Sequence, residues 1–191
     1  MKERLNDFLF HKRSFLTVEF CNQVINHLEK GEWEKHKFTN DSNEPDVYCF
    51  QEANSSDQIE QGSLLDCRNQ IINQLHSVIL EYMTDLNFPW FKGWDGYSPL
   101  KFIRYSGNQM LVKHWDNITT LFEGDRKGIP ILSIIGVLND NYNGGDLILF
   151  DDKKVELKIG DVVIFPSTFL FPHQVTPVIS GTRYSYVSWT W

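Results

Sequence analysis

Two stripes of apolar residues at helical spacing organise the N-terminal half of the chain. Residues 20–28 carry apolar side chains every three or four positions, with Thr17 placed to cap the helix start and Gly31 to end it. A second stripe runs through residues 64–86, directly after Ser63 as a capping residue. Both patterns predict amphipathic helices that bury one side.

Polar and aromatic segments flank the second helix. Residues 38–62 are rich in turn formers and predict a long surface excursion, with one short strand at 47–50. Residues 88–98 place aromatic side chains among turn glycines. They predict a loop that packs on the core, and a wall facing a substrate is the alternative.

At Pro99 the pattern changes to short apolar runs separated by turn sequences. The runs predict strands at 100–105, 110–116, 129–138, 146–150, 154–158, 161–165, 173–178 and 182–191. So many short antiparallel strands favour a double-stranded β-helix, or jelly-roll, with the helices buttressing one face. The predicted fold class is α+β, mostly β. Since no repeat or linker divides the chain, we expect one domain over 1–191, with helical support and loops in 1–98 and the core in 99–191.

The composition narrows the range of partners. The net charge is -7, and this acidity disfavours a nucleic-acid duplex or an anionic membrane as partner. No apolar run is long enough to span a bilayer. Cys21, Cys49 and Cys67 are few, odd in number and not in C-x-x-C spacing, so we expect a reduced compartment and a cytoplasmic protein.

His114 and Asp116 form a His-X-Asp pair in one predicted strand. Side chains two positions apart in a strand point to the same face, so this imidazole and carboxylate can reach one point together. They make up two thirds of a 2-His-1-carboxylate site, which suits non-haem Fe(II) because it leaves coordination positions open. His173 is the only later histidine, and it begins another predicted strand.

A candidate anion receptor lies ten residues further on. Arg183 and Ser185 share one face of the last predicted strand, and a guanidinium beside a hydroxyl pointing into an apolar barrel can bind a carboxylate. Each feature also has an ordinary explanation. His-X-Asp triplets occur by chance, a lone histidine is often structural, and a terminal-strand arginine is often solvated. The combination in this order is more specific than its parts.

With this combination of residues, the sequence resembles the Fe(II)- and 2-oxoglutarate-dependent oxygenases, most of all their prolyl 4-hydroxylase branch. The matching pieces are Tyr105-x-Gly107, His114-x-Asp116, Ser133 through Leu138-Asn139, Gly144-Gly145-Asp-Leu147, Gly160-Asp-Val-Val-Ile-Phe165-Pro-Ser167, His173-x-Val175 and Gly181-x-Arg183-Tyr-Ser185. The segment Phe15–Cys21 is similar to the family's helix-opening segment.

The resemblance assigns roles to these residues. His114, Asp116 and His173 would ligate Fe(II), and the resemblance implies 2-oxoglutarate and O2 as cosubstrates, with ascorbate as an accessory reductant. Arg183 would bind the distal carboxylate of 2-oxoglutarate, with Tyr105 near it.

In one place the chain departs from the family pattern. Val137 stands where related prolyl hydroxylases often carry a second cosubstrate-binding tyrosine, so contacts would shift toward Arg183 and Tyr105, with Ser185 or Ser133. Asp116 is present where the related halogenases have a small residue, which favours hydroxylation.

The resemblance implies hydroxylation of a C–H bond, with a peptidyl proline as the leading substrate. A different side chain or a small molecule fits the same triad. A cupin-like metal-binding module without oxygenase activity, and a purely structural jelly-roll, are the rival interpretations. Residues 117–128 follow the ligands directly and predict either a mobile lid or a plain connection.

Overall fold

The computed structural model describes residues 2–31, 33–36, 49–51, 64–116 and 130–191. Its helices are α1 (Lys2–Asn6), α2 (Val18–Leu28) and α3 (Leu64–Leu86). Its strands are β1 (Phe10–Lys12), β2 (Glu34–His36), β3 (Cys49–Gln51), β4 (Lys101–Ser106), β5 (Leu111–His114), β6 (Leu132–Val137), β7 (Asn143–Gly144), β8 (Leu147–Leu149), β9 (Lys153–Val155), β10 (Val162–Pro166), β11 (His173–Val175), β12 (Val178–Ser180) and β13 (Thr182–Thr190).

The two predicted helices are confirmed. Thr17 caps α2, because its hydroxyl accepts a hydrogen bond from the backbone N–H of Phe20 at 3.2 Å. The buried stripe of α2 consists of Cys21, Val24 and Leu28. α3 extends over 23 residues, while the predicted cap at Ser63 lies outside the described residues.

The strands of the described residues form antiparallel sheets that match the predicted jelly-roll. The larger sheet has the order β1-β10-β6-β13-β4-β3-β2, and the smaller facing sheet has the order β5-β11-β8-β9. A short pair, β12 with β7, adds a third sheet. Each of the eight predicted runs overlaps a strand, and six of these strands are shorter than the predicted run.

Two hydrophobic cores lie on opposite faces of the larger sheet. One core joins α2 and α3 to outward side chains such as Phe102, Ile134 and Tyr186. The other fills the space between the two sheets, with Tyr105 and Phe165 from the larger sheet against Leu149 and others from the smaller one. The helices therefore buttress one face, and the inner face is left to line a site.

Several elements did not stand out in the sequence pattern. α1, β1 and β2 lie in segments without clear periodicity, and β1 forms because Phe10 to Lys12 pair with β10. Of the predicted strand at 47–50, residues 49 and 50 lie in β3, while residues 47 and 48 lie outside the described part. The predicted lid at 117–128 also lies outside the described residues. Across the described part of the chain, no helix is long and apolar enough to cross a membrane.

Candidate metal and cosubstrate site

The two candidate histidines are brought together by strand pairing in the smaller sheet. β11 pairs antiparallel with β5, and His173 lies opposite His114, with a register shift beyond them. Their ring centroids are 4.4 Å apart. Residues separated by almost sixty positions thus present their imidazoles side by side at one end of the inner cavity.

Asp116 completes the cluster from the segment that follows β5. Its Oδ1 lies 3.3 Å from His114 Nε2, and its Oδ2 lies 3.6 Å from His173 Nε2. The ligand atoms of the three residues all lie within 4.8 Å of one another. Among the described residues this is the group whose geometry could hold a metal ion.

Backbone carbonyls orient both imidazoles. His114 Nδ1 lies 2.8 Å from the carbonyl oxygen of Val112, and His173 Nδ1 lies 3.1 Å from that of Phe171. A carbonyl oxygen only accepts, so each Nδ1 must carry the proton and donate it. In the neutral form of each imidazole, Nε2 then has its lone pair on the side of Asp116, as a metal ligand requires.

The charge states follow from burial and from the neighbouring groups. Burial alone would raise the pKa of Asp116, but His173, His114 and the Ser133 hydroxyl outweigh it and hold this pKa well below its usual range. Burial lowers the pKa of His173, in spite of the nearby carboxylate. Burial also acts to lower the pKa of His114, yet the Asp116 contact raises it overall. The cluster thus offers a carboxylate and a neutral imidazole at His173.

Two serine hydroxyls adjoin the carboxylate. Ser133 Oγ donates to Asp116 Oδ2 at 2.6 Å, and Ser167 Oγ lies 2.8 Å from Ser133 Oγ. All three residues are buried. Ser133 therefore contacts the carboxylate of Asp116, and its predicted role as a cosubstrate contact stays a prediction.

Arg183 and Ser185 lie on the inner face of β13, as strand alternation predicts. Arg183 Nη1 donates to Ser185 Oγ at 2.7 Å, and the guanidinium lies over the Tyr105 ring, 5.3 Å from its centroid. The two strands place Tyr105 directly opposite Arg183. Arg183 thus contacts both of the other predicted cosubstrate residues.

The guanidinium of Arg183 is buried and has hydrogen-bond donors without acceptors among the described residues. Arg183 is 1% exposed, and within the described residues its Nε and Nη2 find no hydrogen-bond partner. A buried charge with unmet donors is unfavourable unless an anion joins it. The nitrogens Nε and Nη2 are one edge of the fork that a carboxylate binds with two parallel bonds.

Val137 occupies the cross-strand position next to Ser185. It is buried on β6, four residues from Ser133 on the same face, a separation of about 13 Å along a strand. The two serines therefore serve different ends of the site, Ser133 at the metal ligands and Ser185 at the guanidinium. No hydroxyl is available at position 137 to assist Arg183.

Sequence reasoning assigned no role to two residues of the site. Ser167 lies within the matched Phe165-Pro-Ser167 piece, which was the available signal. Gly145 packs so closely that an added Cβ would lie 3.0 Å from Arg183 Cδ. Its place in a Gly-Gly pair was the signal, since a glycine permits close approach.

The residues present fit Fe(II) and 2-oxoglutarate. Two imidazole nitrogens and one carboxylate form an open facial set, and a dicarboxylate can meet the unpaired guanidinium edge. This fit depends on the donor set and on the orphaned nitrogens.

Comparison with known proteins gives the same answer. Residues 100–191 match the sequence model of the 2OG-Fe(II) oxygenase superfamily. A PKHD-type hydroxylase of Pseudomonas aeruginosa (strain LESB58) is 28% identical over 193 residues, covering 95% of this chain and 77% of the relative. A PKHD-type hydroxylase of Shewanella sp. (strain ANA-3) is 37% identical over 97 residues, which cover 49% of this chain and 42% of the relative.

Solved structures share the fold. A Trichoplax adhaerens prolyl hydroxylase, in complex with a hypoxia inducible factor oxygen degradation domain peptide fragment, aligns with a TM-score of 0.69 at 19% identity. The alignment covers 99% of this chain and 86% of that one. A Pseudomonas putida prolyl-4-hydroxylase aligns with a TM-score of 0.63 at 20% identity, over 96% and 92% of the two chains.

The match over residues 100–191 and the PKHD-type relatives support a 2-oxoglutarate- and Fe(II)-dependent dioxygenase, and the His114, Asp116 and His173 cluster fits this class. Within that class, the chain is similar in sequence to PKHD-type hydroxylases and in fold to prolyl hydroxylases.

Proposed function

We propose that the protein hydroxylates a C–H bond of a polypeptide, with a peptidyl proline as substrate. The observation that carries the oxygenase part is the buried His114, Asp116 and His173 cluster together with a buried guanidinium that has two unpaired nitrogens. The peptide part is supported by the names of the structural neighbours, which are prolyl hydroxylases.

The residues of the chain would bind and orient the reactants. Fe(II), 2-oxoglutarate and O2, when bound, would supply the oxidising chemistry, in which 2-oxoglutarate loses CO2 and one oxygen atom of O2 enters succinate and the other the product hydroxyl. His114, His173 and Asp116 would hold one face of the metal and leave the opposite face open. Arg183, steadied by Ser185, would fix the distal carboxylate, so that the cosubstrate has one orientation.

Exposed aromatic side chains near the triad support a bulky substrate. Trp115 lies between two metal ligands and is 50% exposed. Phe169 is 68% exposed in the turn ahead of His173. Large exposed aromatic side chains are a feature of surfaces that bind another polypeptide. By contrast, Phe91, Trp94 and Tyr97 pack against the helical core, so much of the 88–98 loop has a packing role.

A cytoplasmic location is part of the proposal. Cys21 and Cys67 are free thiols buried in the described structure. Burial raises the pKa of Cys21 to about 12, which leaves this thiol protonated and unreactive at neutral pH.

The test combines cosubstrate turnover with product mass. Iron-loaded protein is incubated with 2-oxoglutarate and a proline-containing peptide library, and succinate and a 16 Da mass gain are measured. We expect succinate to accumulate in proportion to a product whose added oxygen maps to proline. His173→Ala should abolish both signals, because it removes a metal ligand. The surface variant Lys12→Ala is the matched control and should keep both.

Different failures have different meanings. Succinate without any peptide product, but with an oxidised small molecule, would overturn the peptide part alone. A protein that binds metal and neither binds nor consumes 2-oxoglutarate would be a cupin-like module, and the oxygenase proposal would be wrong.

A further inference from the structure

We infer that Ser133 and Ser167 form a positioning pair that restricts Asp116 to binding the metal through one oxygen. The inference rests on the metal site proposed above, and it goes beyond it by assigning a role to two residues that never touch the metal. It concerns the number of coordination positions that the site leaves open.

The pair is fully enclosed. Ser133 is 0% exposed, Ser167 1% and Asp116 6%. The Ser133 Oγ to Asp116 Oδ2 distance of 2.6 Å is that of a strong charge-assisted bond. With water excluded from around it, this hydroxyl has a far greater effect on the carboxylate than it would have at the surface.

The number of protons on each group determines which group donates in each of these hydrogen bonds. An ionised carboxylate only accepts, so Ser133 must use its single proton on Asp116. The 2.8 Å contact between the two serines must then be donated by Ser167. Ser167 therefore donates to Ser133, Ser133 donates to Asp116, and each hydrogen bond polarises the next.

Asp116 depends on such support more than the other two ligands do. His114 and His173 are held by strand pairing and by their own carbonyl contacts. Asp116 lies beyond the end of β5, so the ladder does not fix its side chain. Ser133 lies on β6 of the larger sheet, and its hydroxyl therefore ties the carboxylate across from one sheet to the other.

The Ser133 hydroxyl determines how many oxygens of the Asp116 carboxylate can bind the metal. With Oδ2 engaged by Ser133, Oδ1 is the oxygen left for the metal. An octahedral ion held by His114, His173 and Asp116 Oδ1 would keep three open positions, enough for a chelating cosubstrate and O2. A carboxylate released from Ser133 can rotate and chelate with both oxygens, which removes one open position.

The test uses Mn(II) alone as the probe, without turnover. Mn(II) affinity is measured by titration calorimetry, and the number of exchangeable waters on the bound ion by water-proton relaxation. Wild-type protein should bind Mn(II) with three waters. Ser133→Ala should bind it about 10–100-fold more weakly, as loss of an orienting partner does, and with two waters. Ser133→Thr keeps the hydroxyl and should recover most of the affinity and the third water.

Two further variants keep the result interpretable. Ser167→Ala leaves Ser133 in place but removes its donor, so we expect a loss of about 3-fold in affinity. Ser188→Ala is the matched control, since it removes a buried hydroxyl from the same sheet, where Ser188 donates to the Ser98 carbonyl at 3.0 Å. The control should match wild type in affinity and in water count.

The inference is wrong if Ser133→Ala keeps three waters and wild-type affinity, or if Ser133→Thr behaves as Ser133→Ala does. If Ser133→Ala does not fold, Ser167→Ala decides, and wild-type values there overturn the inference. Failure of the proposed function has a different signature, because wild-type protein would then bind no Mn(II), or would bind Mn(II) without binding 2-oxoglutarate.

Discussion

The contacts of Arg183 point most clearly to a bound ligand. Its Nη1 is satisfied by Ser185 and its plane rests on Tyr105, yet Nε and Nη2 meet no acceptor among the described residues. Each unmet donor of a buried charged group costs about 1–3 kcal/mol. The two nitrogens therefore destabilise the folded protein when no carboxylate is bound. They contribute to binding once a carboxylate accepts their hydrogen bonds.

Arg183→Met separates these two effects. We expect 2-oxoglutarate binding to weaken by about 100-fold or more, equivalent to roughly 3 kcal/mol, because the bidentate bonds are lost. The free energy of unfolding of the ligand-free protein should rise by about 1 kcal/mol, since an apolar side chain replaces a poorly paired charge. Calorimetry with Mn(II) present and urea unfolding without ligand measure the two quantities.

Arg104→Met is the control, because Arg104 lies on the neighbouring strand and pairs with Glu29 at 3.1 Å. It should leave cosubstrate affinity unchanged. Undiminished 2-oxoglutarate binding in Arg183→Met would contradict the assignment of Arg183 as the carboxylate receptor.

Among the elements, β6 is the central strand on which the site depends. It pairs with β10 on one side and β13 on the other, and it carries Ser133 on its inner face. On its outer face Gly136 leaves room for the Tyr186 ring of the neighbouring strand. A Cβ added at Gly136 would lie 2.0 Å from Tyr186 Cζ.

Gly136→Ala should therefore destabilise the protein by about 3 kcal/mol, because Tyr186 is fully buried and has little space to move into. Urea unfolding measures the loss, and Mn(II) affinity should fall with it if the shift of β6 reaches Ser133. Gly107→Ala is the matched control. It meets no atom within 4 Å and suffers only from its positive φ of 52°, so we expect about 1 kcal/mol. Equal losses for the two variants would argue against the tight packing at Gly136.

The elements show which parts of the molecule a sequence can predict. α2, α3 and the eight β runs were predicted because each carries its own periodicity. β1 was missed because its three residues are half-buried without alternation, and only the pairing with β10 makes them a strand.

The same distinction holds for the site. Alternation along a strand predicted that Arg183 and Ser185 share a face, and the structure confirms this. The contacts of Ser133 were not predictable in this way. Asp116 and Ser167 lie 17 and 34 residues from it, and they meet it only through the packing of two sheets and the β6–β10 register.

For the molecule as a whole, Asp161 anchors the N-terminal segment to the jelly-roll. Its Oδ2 lies 3.0 Å from His11 Nε2 and 3.1 Å from Arg13 Nη1, and also accepts from the Lys158 N–H, while Oδ1 accepts from the Ser14 N–H. Burial alone would raise the pKa of Asp161, but these hydrogen bonds lower it below its usual value.

A depressed pKa in the folded state means that the carboxylate contributes stability above its unfolded pKa, and that this contribution is lost as the pH falls through the folded value. Asp161→Asn should lower the free energy of unfolding by about 2 kcal/mol at pH 7. The gap to wild type should shrink as the pH falls from about 5 to below the ordinary aspartate value of about 3.9. Denaturant unfolding across this range measures the gap.

Asp152→Asn is the control, because Asp152 is exposed, and its difference from wild type should be small at every pH. A gap for Asp161→Asn that stays constant from pH 7 to pH 3 would contradict an ionised anchor.

The buried guanidinium of Arg183 would also make the stability of the folded protein depend on the concentration of 2-oxoglutarate. A ligand that binds only the folded chain stabilises it in proportion to the logarithm of its concentration, by about 2.7 kcal/mol at one hundred times its dissociation constant. A cell rich in 2-oxoglutarate would then keep a smaller fraction of this protein unfolded and open to proteases. The abundance of the protein, and not only its reaction rate, would then depend on the concentration of 2-oxoglutarate.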